Sequence, residues 1–281
     1  MKIAKMKSNA LVQYYSEPKS LGKKGLHEIL DSGRLWDLAP ALKSGGSAMF
    51  PHTFISECGN QIAAVVHGCL DSGADQVLVL GVTHPQTEEQ MALRMKERNK
   101  ESLDNELARG VFPSMKAEFS LFHFKTLWNA EVKRRGAKPP KLIERYPCYV
   151  NRKPETLPGI NELQAIAKDS VVVATADLCH HGEAYGMSDE AIKGFSAEGE
   201  DFAVKTIKEG FSILESGDYS EYYDYCRSIL SDSMDTGTIL KYLLGDFSSE
   251  ILDLKLVNVS SLFEGGPTPS WVAATLVELK K

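Results

Sequence analysis

The chain has 281 residues, of which 43% are hydrophobic and 25% are charged, and its net charge is −6 at pH 7. This composition is typical of a globular protein in water. The negative charge, and the lack of a Lys/Arg stripe interleaved with aromatic residues, argue against a nucleic-acid partner. No apolar segment has the length of a signal peptide or a membrane span, so we expect a cytoplasmic protein without a membrane partner.

The five cysteines are expected to be reduced thiols. Their number is odd and none of them forms a CxxC pair, which argues against a disulfide framework or a cysteine zinc site. They are Cys58, Cys69, Cys148, Cys179 and Cys226.

The first regular unit spans residues 48–84. Residues 47–50 (SAMF) form a short apolar run, and apolar residues recur at helical spacing over 59–70. Residues 77–80 (VLVL) are continuously apolar, as in a strand buried on both faces. This order predicts a strand–helix–strand unit with parallel strands.

The rest of the chain continues this alternation. Residues 86–108 are charged and predict an exposed helical excursion, and 136–160, with five prolines, predict mostly loop. Helical spacing predicts three further helices, at 202–214, 222–230 and 237–244. Apolar runs predict three further strands, at 171–176, 254–260 and 271–277. The whole, residues 1–281, is expected to be a single-domain α/β three-layer sandwich with a mixed, largely parallel sheet.

Residues with functional chemistry follow three of these strands directly. His52 comes after the first strand, His84 after the second, and Asp177 and His180 after the strand at 171–176. In open α/β sheets, ligands bind beyond the carboxyl ends of the strands, so these side chains are expected to converge. The turn at residues 231–235 (SDSMD), between two predicted helices, adds carboxylates.

Two imidazoles and one carboxylate on one side of a cation would leave its other positions open. His52 and His84, with Asp232 or Asp235, would form such a set, which suits non-haem Fe(II) with room for substrate and dioxygen. Zn²⁺ could use the same ligands for metal-assisted hydrolysis, and copper is also compatible. Asp177 would orient a ligand histidine and His180 would transfer protons.

Structural roles for single residues are the competing interpretation. A lone histidine beyond a strand is more often a hydrogen-bonded loop residue than a ligand. Asp177 could instead cap a helix that begins near Cys179. His67, on the more polar side of the predicted helix at 59–70, is expected to be a surface residue.

Three sequence blocks resemble the Memo-like family, which includes the B-type protein of the AmmeMemoRadiSam system. PHTFISECG at 51–59 resembles the family's Pro-His-Ala-Gly-Tyr-x-Tyr-Ser/Cys-Gly, and LGVTH at 80–84 resembles Leu-Gly-Pro-Ser-His. TADLCHHG at 175–182 resembles Ser-Ser-Asp-Phe-Cys-His-Trp-Gly. The likeness covers most of the chain in order, although only these blocks are distinctive.

The resemblance implies a phosphorylase/hydrolase-like fold related to the class III extradiol dioxygenases of LigB type. It places His52 and His84 at the metal site, with Asp177 and His180 beside it. The family's cysteine ligand falls at Ser231, next to Asp232, so that Asp232, Asp235 and Ser231 all remain open as the third ligand. In EFSLF at 118–122, phenylalanines stand where the family has a histidine and a glutamate.

Two functions are therefore expected from the sequence. The first is a mononuclear, non-haem iron-dependent oxidoreductase, dioxygenase-like, acting on a small molecule. The alternative is a catalytically degenerate Memo-like binding or interaction protein with a peptide ligand. The missing cysteine and the two phenylalanines favour this alternative, and the residues at the strand ends favour the enzyme.

Overall fold

A mixed seven-stranded sheet lies at the centre of the computed structural model, which describes residues 3–84, 118–150 and 152–281. The strands of this described part are β1 Ser47–Phe50, β2 Gln76–Leu80, β3 Lys141–Arg145, β4 Val171–Thr175, β5 His180–Gly182, β6 Ser248–Asn258 and β7 Ser270–Lys280. Their order is β3-β2-β4-β1-β7-β5, and β6 also pairs with β7.

Strands β1 to β4 are parallel to one another, whereas β7 is antiparallel to β1, β5 and β6. The short runs of β1, β2 and β4 contain almost only apolar residues because helices cover both faces of the sheet. Parallel pairing places the carboxyl ends of β1, β2 and β4 at one edge of the sheet, where the chain then continues into loops.

Helices cover both faces of the sheet. In the described residues they are α1 Ala10–Ser32, α2 Ala39–Lys43, α3 Ile55–Asp71, α4 Phe122–Arg135, α5 Ile160–Lys168, α6 Ala197–Ser216, α7 Tyr219–Ser228 and α8 Ser233–Leu244. Val77 and Val79 of β2 pack in the core that α1, α3 and α4 share. Leu78 and Leu80 point to the other face, toward α5 to α8. The expected three-layer α/β sandwich with a mixed sheet is thus confirmed.

The predicted strands and helices that fall on described residues are present, with small shifts of their ends. Helices α1, α2, α4 and α5 were not predicted from the sequence, and the structure differs from the prediction at two further places. Residues 136–160 contain the strand β3, which the prediction of mostly loop omitted. Its sequence, KLIER, is rich in charge because β3 is an edge strand and is only partly buried. In addition, Cys179 is followed by the strand β5, whereas the sequence allowed a helix to begin there. The predicted excursion at 86–108 lies outside the described residues.

No helix in the described ranges is both long enough and apolar enough to cross a lipid bilayer.

The interpretation of His67 as a surface residue is wrong. Its side chain is buried beneath α1, and its Nε2 lies 2.7 Å from the Leu30 carbonyl oxygen, to which it donates. Beside it, the buried carboxylate of Glu131 accepts from Arg135 and Arg34, at 2.8 and 3.3 Å. The helical pattern of α3 alone could not show that a second helix covers its polar side.

A buried histidine makes the stability of this fold sensitive to acid. His123 of α4 is fully buried and stacks on Tyr14, with ring centroids 4.0 Å apart. Neither of its ring nitrogens has a hydrogen-bond partner among the described residues. Burial, together with the nearby charge of His52, lowers the pKa of His123 to about 3.

Replacing His123 by phenylalanine should therefore reduce the acid sensitivity. Below about pH 6.5, His123 is protonated in the unfolded chain but stays neutral in the folded protein. The free energy of unfolding therefore falls as the pH is lowered toward the pKa of folded His123. Between about pH 6.5 and pH 5 this group alone costs about 2 kcal/mol of unfolding free energy. Urea unfolding at both pH values should show that His123→Phe removes this difference. The matched control Phe124→Leu should lower the free energy of unfolding by the same amount at both pH values. If His123→Phe keeps the pH dependence of the wild type, His123 is not the source of the acid sensitivity.

Candidate metal centre

Two histidines meet at the carboxyl edge of the sheet. His52 lies two residues beyond the end of β1, and His84 lies four residues beyond the end of β2. Their Nε2 atoms are 3.3 Å apart, and the side chain of His52 is buried. The convergence that the strand ends predict is therefore present in the structure.

A carboxylate from the other helical layer completes the group. Asp232 immediately precedes α8, and its Oδ2 lies 3.3 Å from His52 Nε2 and 3.5 Å from His84 Nε2. The three ligand atoms lie within 4.8 Å of one another, close enough to hold a metal ion. The chain thus places buried histidine and aspartate groups where a cation could bind.

The hydrogen bonds of the two histidines leave each Nε2 facing the centre. His52 Nδ1 lies 3.2 Å from Thr175 Oγ1, whose own hydroxyl donates to the Phe50 carbonyl at 2.9 Å. The threonine oxygen therefore accepts the Nδ1 proton of His52. His84 Nδ1 lies 3.1 Å from Glu118 Oε1, a carboxylate that can only accept when it is charged. Both rings keep the Nε2 lone pair for a cation.

Glu118, which contacts His84, was not among the predicted site residues. Its carboxylate also accepts from three backbone N–H groups, those of His84, Phe119 and Ser120, at 2.7, 2.8 and 2.9 Å. Burial opposes its ionisation, but His84 and these bonds lower the pKa of Glu118 to about 2. The only signal for it in the sequence was its position at the start of the EFSLF block.

Asp177 and His180 flank the same centre. Asp177 Oδ1 accepts from the backbone N–H of His52 at 3.2 Å, and Oδ2 lies 3.7 Å from His52 Nε2. His180 Nδ1 donates to the Leu230 carbonyl at 2.5 Å, which leaves its Nε2 3.7 Å from Asp232 Oδ2. Asp177, His180 and Asp232 form a second group that could hold a cation. The alternative role for Asp177, as a helix cap, is wrong, because no helix begins there.

The other two candidates for the third ligand make different contacts. Asp235 accepts from the backbone N–H groups of Tyr149 and Val150, at 3.0 and 2.9 Å, and so holds a neighbouring loop. Ser231 Oγ bonds to Ser233 Oγ at 2.7 Å. Among these three candidates, the described contacts bring only Asp232 to the histidines.

Two residues with a strained backbone lie at the centre and in the neighbouring loop. In the described part of the chain, Leu230 and Tyr149 are the non-glycine residues with positive φ, at 55° and 54°. Leu230 directs its carbonyl oxygen at His180, and the N–H of Tyr149 donates to Asp235. Such conformations cost about 1–3 kcal/mol each and persist where the surrounding structure enforces them.

An unpartnered carboxylate oxygen tests whether these residues fit a metal. Asp232 Oδ2 is buried and makes no hydrogen bond within the described residues, although three imidazole nitrogens lie 3.3–3.7 Å from it. A buried carboxylate oxygen normally has a partner. A cation among Oδ2 and the Nε2 atoms would supply it, so the residues fit a metal ion.

The electrostatics of the centre agree with this fit. Burial opposes the charge on Asp232, but attraction from His180, His52 and His84 holds the pKa of that carboxyl well below its usual range. Burial also opposes protonation of His84, yet Glu118 and Asp232 raise the pKa of His84 to about 10. The centre therefore favours a positive charge at His84 Nε2, whether a proton or a metal ion.

The phenylalanines of the EFSLF block differ in their relation to the centre. Phe119 stacks on His84, with ring centroids 4.5 Å apart and an interplanar angle of 17°. Phe122 packs against Tyr14 and Tyr15 instead. One wall of the centre is thus apolar and aromatic.

No protein-family model matches the sequence, and no characterised protein is similar enough to be matched with it.

Replacing Glu118 by glutamine should weaken metal binding without removing a ligand. The amide lacks the charge that fixes the tautomer of His84, and loss of such a contact typically costs 10–100-fold in metal affinity. Competition titration with a chromophoric chelator and Zn²⁺ would measure it. Glu144→Gln is the control. The carboxylate of Glu144 pairs with Lys125 of α4, so this variant should keep the wild-type affinity for Zn²⁺. Equal affinities of the two variants would show that Glu118 does not support the metal.

Proposed function

We propose that the protein is a mononuclear, metal-dependent oxidoreductase that uses non-haem Fe(II) and dioxygen on a small molecule. The observation that carries this proposal is the meeting of two imidazole Nε2 atoms and one unpartnered carboxylate oxygen on one side of a centre. His52, His84 and Asp232 would hold the metal. A set of two histidines and one carboxylate leaves positions open for substrate and oxygen.

The chemistry of the donors favours iron over Cu(I). Thiolate ligands select Cu(I), but all five cysteines are buried and none belongs to the groups that could hold a metal. Burial raises the pKa of Cys179 to about 12 and that of Cys226 to about 11, and keeps both thiols protonated. Zn²⁺ fits the same nitrogen and oxygen donors, which keeps metal-assisted hydrolysis as the competing chemistry.

The protein residues supply orientation and proton transfer. When bound, Fe(II) would bring substrate and dioxygen together at its open positions. Thr175 and Glu118 hold the rings of His52 and His84, and Asp177 holds the backbone of the His52 loop. His180, fixed through Nδ1, has its Nε2 free to accept a proton from a substrate hydroxyl. Phe119 excludes water from one side of His84.

The resemblance to the Memo-like family and the LigB-type dioxygenases supports this proposal. In that resemblance the cysteine ligand of the family is absent, and Asp232 takes its function as the third ligand. A carboxylate there restores the ligand set of the dioxygenase relatives. The alternative, a degenerate binding protein on the same fold, is favoured by Phe119, which replaces a polar side chain by an apolar one.

Anaerobic purification with added Fe²⁺ should give about one iron per chain if the single three-ligand site is occupied. The double variant His52→Ala/His84→Ala should lose this iron, and the thermal midpoint of the wild type should rise on metal addition because the metal binds the native state. His27→Ala, in α1, is the control. Wild-type protein that stays metal-free with Fe²⁺, Cu⁺ and Zn²⁺ would exclude the enzyme and favour the binding protein.

His180→Gln should separate metal binding from catalysis. The variant should retain iron, since His52, His84 and Asp232 are intact, but should lose about 10²–10⁴-fold in turnover, the usual contribution of a general base. Oxygen consumption with a panel of catechol-like compounds would measure it. Full turnover in His180→Gln would exclude this residue from proton transfer, and zinc-dependent hydrolysis without oxygen uptake would exclude the oxidoreductase.

A further inference from the structure

An open cleft adjoins the metal centre on the side of His180. Its volume is about 460 Å³, and both His180 and Asp232 line it. A molecule in this cleft would therefore contact the residue proposed for proton transfer and one proposed metal ligand. The cleft is large enough for a compound of the size of a substituted benzene, since small-molecule pockets commonly have volumes of about 300–1,000 Å³.

Apolar side chains form most of the wall of this cleft. Tyr185 lies edge-on to His180, with ring centroids 5.0 Å apart, and Leu230, Met234 and Ile3 line the same space. Ile3 belongs to the segment whose Ala4 N–H donates to the Ala184 carbonyl, so the beginning of the described chain closes one side of the cleft. Such walls favour a ligand with an apolar body.

One positively charged side chain, that of Arg227, lies among the described residues that line the cleft. Arg227, in the last turn of α7, is exposed and makes no salt bridge with any described residue. Its guanidinium contacts the ring of Tyr223, 5.9 Å from the centroid. Arg152 lies over the same ring at 4.5 Å but is paired with Asp224. Arg227 is thus available to a ligand where Arg152 is not.

A second cleft, on another side of Asp232, has the opposite character. Its volume is about 200 Å³, and Val82, Thr83, Met234 and Asp235 line it, with no basic side chain among its described residues. Asp232 lines both clefts, but Asp235 adds a second carboxylate to this one, which would repel an anionic group. An anionic ligand is therefore directed to the cleft with Arg227.

We propose that the substrate of the metal centre is an organic anion with an apolar body. Its carboxylate pairs with Arg227, its body packs against Tyr185 and Leu230, and its reactive end reaches His180 and the metal. A guanidinium binds a carboxylate through two parallel hydrogen bonds, which fixes orientation as well as affinity. This inference rests on the proposed function, because it names the substrate class of that site.

Calorimetric titration of the full chain with two probes tests the inference. 3-Phenylpropionate and 3-phenylpropan-1-ol share one apolar body and differ in charge. Wild-type protein, both metal-free and loaded with Zn²⁺, should bind the carboxylate at least about tenfold more tightly than the alcohol, as expected for a charge-assisted pair. The metal-free titration excludes direct binding of the carboxylate to zinc as the source of the preference.

Variants of Arg227 assign that preference to its charge. Arg227→Gln should lower the affinity for 3-phenylpropionate about tenfold and leave that for the alcohol unchanged, and Arg227→Lys should retain most of the preference. Arg152→Gln is the matched control and should behave as the wild type. The inference would be overturned if Arg227→Gln preferred the carboxylate as strongly as the wild type does, or if the wild type showed no preference. Normal metal binding in the same protein would leave the proposed function intact. A preference that depends on Arg227 in a chain that takes up no metal would overturn the proposed function and leave the ligand class standing.

Discussion

The parallel pairing of β4 with β1 and with β2 determines where the candidate metal centre lies. Phe50 pairs with Thr175 and Leu80 pairs with Ala174, so three strands end at nearly the same level. Their next residues enter one shared space, which is where ligands bind in open α/β sheets. Hydrogen bonds also connect the strands to His52. Thr175, at the end of β4, accepts from His52 Nδ1 and donates to the Phe50 carbonyl at the end of β1.

Contacts within the protein hold the side chains of the candidate centre in place. Each of the three histidines donates its Nδ1 proton to a fixed acceptor: a threonine oxygen, a glutamate and a backbone carbonyl. The fourth participant, Asp232, stands at the N-terminus of α8, where the partial positive charge of the helix favours a carboxylate. Such preorganisation would reduce the entropy that these side chains lose on binding a metal, and it is accompanied by a strained backbone at Leu230.

Under the proposed function, two residues set the character of the centre. The carboxylate of Asp232 would favour Fe(II) or Zn²⁺ over the soft metals that thiolates select. Phe119 stacks on His84 and gives it an aromatic neighbour that cannot transfer protons. Under the proposed function, proton transfer would fall to His180, which lines the Arg227 cleft. The apolar wall and this cleft together favour an apolar substrate body that approaches from one direction.

The sequence by itself determined the strands that build the edge and the residues that follow them. Short runs of almost only apolar residues identified β1, β2 and β4, since only strands covered on both faces have that pattern, and this placed His52, His84, Asp177 and His180 at one edge. The tertiary structure alone decided between Asp232 and Asp235, because the direction of a side chain in a turn depends on how the following helix packs. It also decided the roles of Glu118 and His67, since a carboxylate far along the chain and a helix over a polar face act through contacts that no local pattern records.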